Sequence, residues 1–268
     1  MKRVFSAVVL LAPAFLITRF MSPLAFFALV GVILGAAALE FCGLAARRGY
    51  QPQKMAVLPA SLLLAYAFLD PRVDLQFVLA LILLFIPLLA LTRRDPMDKK
   101  FGNLIMTLFP ILFLGLLAGY MVGLRILPGA DGHDLPFLLL FVVAAADTGA
   151  YYGGRTLGRH PMAPRLSPRK TWEGLLVGVA CAVAATFVAR LWFLHSLRPL
   201  DCVILGILLA VVGSAGDLVE SSLKRWAGAK DSSGLIPGHG GVLDRVDGLL
   251  FAAPVLFYYH QVMGTSAW

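Results

Sequence analysis

Runs of about twenty apolar residues recur along most of this 268-residue chain, and they limit what it can fold into. A helix needs about 20 apolar residues to cross a bilayer core of roughly 30 Å. About nine candidate spans are present, at 4–20, 23–45, 55–70, 74–92, 102–124, 135–153, 172–194, 200–220 and 248–264. Strands of a membrane barrel alternate apolar and polar residues, and these runs do not. The expected fold is all-α, a polytopic integral membrane protein. Composition agrees, because only 14% of residues are charged, where a soluble domain carries about a quarter.

The chain opens MKRVFSAVVLLAPAF, a basic start followed by an apolar run and an APA that resembles a cleavable signal. The apolar run continues through FLITRF, so the first span is expected to be retained. Lysine and arginine concentrate on the cytoplasmic side of membrane proteins. With the N-terminus inside, the inner segments hold 18 cations, and the outer loops hold only Arg19, Arg72, Arg125 and Arg198. The expected topology therefore has a cytoplasmic N-terminus. The net charge of +8 is spread over many short loops, which fits anionic membrane lipids and excludes a nucleic-acid-binding domain. Cys42, Cys181 and Cys202 lack metal-ligand spacing and read as packing residues.

The spans divide into an N-terminal set, 1–134 with about five helices, and a region 135–268 that carries the chemistry. The latter contains two long inner loops, 154–171 and 221–247. In the eighth span Ser214, Asp217, Ser221 and Lys224 are spaced i, i+3, i+7 and i+10, one face of a helix, with Glu220 at its border. An aspartate near hydrocarbon faces a water-filled cavity or a partner. A plain ion pair with Lys224 or Arg225 is the structural alternative. In the following loop Pro237, Gly238, Gly240 and Gly241 form a tight turn able to aim N–H groups at an anion. His239 there reads as a phosphate or turn contact. Asp244 and Asp247 flank Arg245. Magnesium uses one or two carboxylates and completes its shell with water and substrate phosphates. Lys224, Arg225, Lys230 and Arg245 beside them suit a metal-bound polyphosphate.

The other loop repeats the theme. Asp147 and Tyr151 share a helix face at i, i+4. Ser167 or Thr171 can cap the seventh span and Glu173 falls in its first turn, a capping role that stands beside a substrate-binding one. Arg169 and Lys170 sit at the positive end of that helix, where phosphate is attracted.

The residues Ser221, Leu223, Lys224, Arg225, Lys230, Asp231, Ser233, Ile236, Pro237, His239, Gly240, Gly241, Val242, Asp244, Arg245, Val246 and Asp247 resemble the signature of phosphatidate cytidylyltransferases, the CDP-diacylglycerol synthases. SPRKTWEG and DTGAYYGGRTLG are similar to two further blocks of that family. The resemblance implies that CTP and phosphatidic acid give CDP-diacylglycerol and pyrophosphate. It implies Mg²⁺, a monovalent cation such as K⁺ in some members, and a homodimer; the cation distribution adds an inner-membrane location with the active site facing the cytoplasm. Carried over residue by residue, it makes Asp217 and Asp244 the metal ligands, with Asp147, Asp231 and Asp247 as additional ligands or supporting groups. A CTP-dependent polyprenol kinase is the neighbouring alternative. An ion-coupled transporter using Asp147 and Asp217 is the alternative of another class, although here the charges gather at one membrane face.

Overall fold

A computed structural model describes residues 22–127, 130–234 and 240–267, so the expected span at 4–20 lies outside the described residues. The chain packs as two compact units, residues 1–123 with 223–245 and residues 124–222 with 246–268.

The first unit begins with α1 (Pro23–Arg47), capped by Ser22, whose hydroxyl accepts from Ala25 N at 3.3 Å. Its buried residues Phe26, Val30, Leu34, Ala37, Phe41 and Leu44 recur every three or four positions, so one face meets the core. Two short apolar helices follow, α2 (Lys54–Ala67) and α3 (Leu75–Leu91). On α3, Val78, Ile82, Ile86 and Ala90 are buried, while Phe77, Leu84, Leu88 and Leu91 are exposed on the other side. An exposed apolar face of this extent is expected against lipid, not water. Next come α4 (Met97–Pro110), a π-helical turn (Ile111–Gly115) and the start of α5 (Leu116–Ile126). Asn103 Oδ1 and Thr107 Oγ1 of α4 accept from Gln51 N and Gln53 N at 2.7 and 3.0 Å, which fixes the connection between α1 and α2.

The second unit contains α6 (Leu135–Leu157), a two-stranded antiparallel hairpin of β1 (Pro161–Ala163) and β2 (Ser167–Thr171), α7 (Trp172–Trp192), most of α8 (Pro199–Trp226) and most of α9 (Leu243–Ala267). The hairpin is an addition to the all-helical expectation and occupies the loop at 154–171. α8 runs six residues past the expected end at 220, and α9 starts five before 248. Glycines bring α6 and α7 into close approach. A Cβ at Gly178 would lie 2.8 Å from the Ala146 carbonyl oxygen, and one at Gly174 would lie 2.8 Å from that of Ala150. Gly149 and Gly153 receive Cys181 and Val177 from the opposite side. Small residues four apart let helix backbones meet without a hydrophobic driving force, as packing in lipid requires.

Among the described residues, five helices are long and apolar enough to cross a membrane: α1, the α4–α5 rod (Met97–Ile126), α6, α7 and α8. The protein is a helical, multi-pass membrane protein. A count of about nine would further need α2, α3, α9 and the undescribed N-terminal run to span.

Because the α6–α7 contact has no room at Gly178, Gly178→Val should destabilise the folded protein by about 1–3 kcal/mol. Thermal unfolding in detergent checks this against Leu176→Ala, which alters an exposed position of the same helix. Equal midpoints for the two variants would contradict the close packing.

Candidate active site

In the second unit, the polar stripe lies on α8 as its spacing requires. Ser214 and Asp217 are half-buried and Ser221 is buried. Ser221 Oγ lies 3.4 Å from Asp217 Oδ1. The partner of Asp217 comes from the hairpin: Lys170 Nζ sits 2.7 Å from Asp217 Oδ2 and donates to the Ser214 carbonyl oxygen at 3.3 Å. The hairpin therefore carries a cation from the 154–171 loop to the α8 stripe.

Asp217 is not the sole carboxylate there. Glu220, one turn on and buried, and Asp247 of α9 each bring an oxygen to it, all within 4.8 Å of one another. The approach of Asp247 depends on Gly216, where a Cβ would lie 2.7 Å from the Asp247 carbonyl oxygen. Three carboxylates so close repel one another, and a cation among them relieves that repulsion. The donors are all oxygen, which suits Mg²⁺. Lys170 supplies one positive charge at the edge of the group.

The remaining residues of this loop divide between support and exposure. Thr171 Oγ1 caps α7 by accepting from Gly174 N at 3.1 Å. Glu173 accepts from Arg159 N and His160 N at 3.1 and 3.2 Å, and its other oxygen meets His160 Nδ1 at 2.5 Å. These two residues hold the turn into the hairpin and the start of α7, the capping role. Ser167 is half-buried on β2, whereas Arg169, Asp147 and Tyr151 are exposed.

In the first unit, Lys224 and Asp244 form an ion pair 2.5 Å long, with side chains only 12% and 10% exposed. The other oxygen of Asp244 accepts from Ser232 N at 3.1 Å, Ser232 Oγ at 2.9 Å and Gly241 N at 2.8 Å. The Gly241 amide is thus turned onto a carboxylate. Gly240 has φ +78°, the left-handed region that glycine tolerates best. Arg225, Lys230, Asp231 and Arg245 are exposed, and Arg225 Nη1 donates to the Ala229 carbonyl at 3.3 Å. His239, with Pro237 and Gly238, lies outside the described residues.

Two acidic residues were missed or undervalued by sequence reasoning. Glu220 was only a border residue of the stripe. Glu40, in α1, was not singled out at all, yet its buried carboxylate accepts from four groups of the 232–243 segment. The available signal was a lone carboxylate inside an apolar span, which marks an intramembrane polar contact.

The sequence profile of the cytidylyltransferase family matches residues 1–263 of this chain. The phosphatidate cytidylyltransferase of Haemophilus influenzae is 43% identical over 139 residues, covering 48% of this chain and 46% of that protein. The one of Brucella suis is 49% identical over 132 residues, 49% and 48% of the two chains. The one of Staphylococcus saprophyticus is 35% identical over 187 residues, 70% and 68% of the two. The chain thus spans about half the length of the first two of these relatives, and about two thirds of the third. With a profile match over nearly its whole length, the chain belongs to the cytidylyltransferase family.

Proposed function

We propose that this protein transfers the cytidylyl group of CTP to phosphatidic acid, giving CDP-diacylglycerol and pyrophosphate. The observation that carries the reading is the gathering of Asp217, Glu220 and Asp247 within 4.8 Å beside Lys170, in a member of this family. The names of its relatives point to the lipid substrate.

An oxygen of the lipid phosphate attacks the α-phosphorus of CTP. The bond from that phosphorus to the α,β-bridging oxygen breaks, and its electron pair leaves with pyrophosphate. Both reactants are anionic, so positioning and charge neutralisation carry most of the catalysis. Mg²⁺, when bound, neutralises triphosphate oxygens as a Lewis acid. Asp217 would be its principal ligand, with Glu220 and Asp247 completing the protein's share. Asp244 remains a candidate ligand in its own unit, where a cation would compete with Lys224 for the carboxylate. Lys170 and Arg169 counter phosphate charge at the hairpin, and Lys224, Arg225, Lys230 and Arg245 do so around the 221–247 loop. His239, Gly240, Ser167, Ser214 and Tyr151 are assigned to substrate contacts, and Asp231 and Asp147 to support of the metal and substrate.

The excess of cations in the inner segments, 18 against four, supports an inner-membrane protein with its N-terminus and both loops at the cytoplasmic face. The chemistry is assigned to 135–268. A homodimer and a K⁺ ion belong to the same reading and rest on the family resemblance.

Purified protein incubated with labelled CTP, phosphatidic acid and Mg²⁺ should form cytidylylated lipid and pyrophosphate in equal amounts. Chelation should stop the reaction and added Mg²⁺ should restore it. CDP together with a phosphorylated polyprenol, or solute uptake without covalent change, would defeat the proposal. Asp217→Asn should lower kcat about 100-fold, or about 2.7 kcal/mol in the barrier, with little loss of stability, because the Asp217 side chain is 42% exposed. Unchanged turnover in the folded variant would remove Asp217 from the metal site.

A further inference from the structure

We propose that Glu40 is a positioning residue for this reaction: from α1 it fixes the turn that carries Asp244 and, through it, Lys224. The inference rests on the function proposed above.

Glu40 is only 7% exposed, near the C-terminal end of α1. Its Oε1 accepts from Ser233 Oγ at 2.6 Å and Val242 N at 2.9 Å. Its Oε2 accepts from Ser232 Oγ at 2.9 Å and Leu243 N at 2.8 Å. Val242 and Leu243 bracket the start of α9. The first N–H groups of a helix have no partner within it, and a carboxylate there satisfies them and meets the positive end of the helix dipole. Glu40 is therefore a cap supplied by a helix some two hundred residues earlier in the chain.

The network continues to the residues assigned to chemistry. Ser232 Oγ lies 2.9 Å from both Glu40 Oε2 and Asp244 Oδ2. A hydroxyl has one proton to donate, so it serves one carboxylate at a time and links the positions of both. Asp244 in turn holds Lys224. Gly241 is fitted to this arrangement, because a Cβ there would run into Ser232 Oγ and the Glu40 carboxylate. The end of α8 docks on the same stretch of chain: Arg48 Nε donates to the Trp226 carbonyl, Tyr50 stacks on Trp226, and Leu44 packs against Ala227 and Ala229.

Four donors converge on two carboxylate oxygens, which makes glutamate chemically specific. Glutamine would turn an NH₂ group onto two donors. Aspartate keeps the acceptors but is one methylene too short.

The test compares full-length wild type with Glu40→Gln, Glu40→Asp and Ser233→Ala in detergent. It reads amide hydrogen exchange at Val242 and Leu243, together with kcat and KM per folded molecule. In Glu40→Gln both amides should exchange at least roughly tenfold faster, and kcat should fall by about tenfold or more. Exchange in the middle of α8 should be unchanged. Glu40→Asp should recover part of kcat, and Ser233→Ala should lose about two- to fivefold. A purely structural residue would lower the unfolding midpoint and leave kcat per folded molecule intact. Wild-type kcat in Glu40→Gln, or unchanged exchange at both amides, overturns the proposal. If Glu40→Gln does not fold, the other two variants decide, and wild-type kcat in both overturns it. Wild-type protein that makes no CDP-diacylglycerol defeats the function itself, a failure the exchange measurement distinguishes from a failure of the anchor.

Discussion

A carboxylate in apolar surroundings has to be ion-paired or hydrogen-bonded, since burying it alone is very costly. That constraint decides where the acidic groups of this protein sit and what sits beside them. Glu40 gathers four donors. Asp244 gathers a lysine and three more contacts. Asp201, also buried, takes Arg198 and the Tyr259 hydroxyl, at 3.1 and 2.7 Å. Asp217 takes Lys170. The group formed with Glu220 and Asp247 stands apart, because three carboxylates gather at one point, with Lys170 paired to Asp217. Three carboxylates so close together favour a cation among them.

Backbone proximity makes these groupings possible. Gly216 lets α8 meet the Asp247 backbone, which places two carboxylates from distant parts of the sequence within reach of one ion. Gly241 lets the turn before α9 fold down over Ser232 and Glu40. The interlocked glycines of α6 and α7 hold the helix that precedes the hairpin against the helix that follows it. The hairpin is short and partly exposed, so the firmness of its base sets how well Lys170 is aimed. Each glycine thus turns a packing requirement into the placement of a charge.

Local features were legible in the sequence, and tertiary ones were not. The helices follow from apolar runs, and the stripe of Ser214, Asp217 and Ser221 follows from helical spacing alone. The cap of α7 was narrowed to Ser167 or Thr171, and the structure uses Thr171. The hairpin at 161–171 was hidden because prolines at 161, 164 and 168 interrupt the alternation that marks a strand. The Lys224–Asp244 and Lys170–Asp217 pairs join residues 20 and 47 positions apart, and no periodicity reports such a separation. Lys224 shares the helical stripe with Asp217, and a pair between Asp217 and Lys224 or Arg225 was the structural alternative that the spacing offered. Glu40 is the extreme case. Its partners lie 192 to 203 residues away, and only its chemical oddity within an apolar helix pointed to it.

The two lysine–aspartate pairs differ in a way that bears on their roles. The Asp217 side chain is 42% exposed and Lys170 is 23% exposed, against 10% and 12% for Asp244 and Lys224. An exposed ion pair contributes about 0–1 kcal/mol and exchanges readily with solutes. Breaking a buried pair strands a charge and is strongly destabilising, by about 3–5 kcal/mol. Asp217 can therefore exchange Lys170 for a metal ion, and Lys170 can exchange Asp217 for a phosphate, with little effect on the fold. The Asp244 pair also holds the turn before α9 together, so any exchange there is coupled to the geometry of that turn. Under the proposed function, this coupling makes the anchorage of the turn by Glu40 matter to chemistry as well as to folding, because it would keep the segment in place if Lys224 were drawn toward an anion.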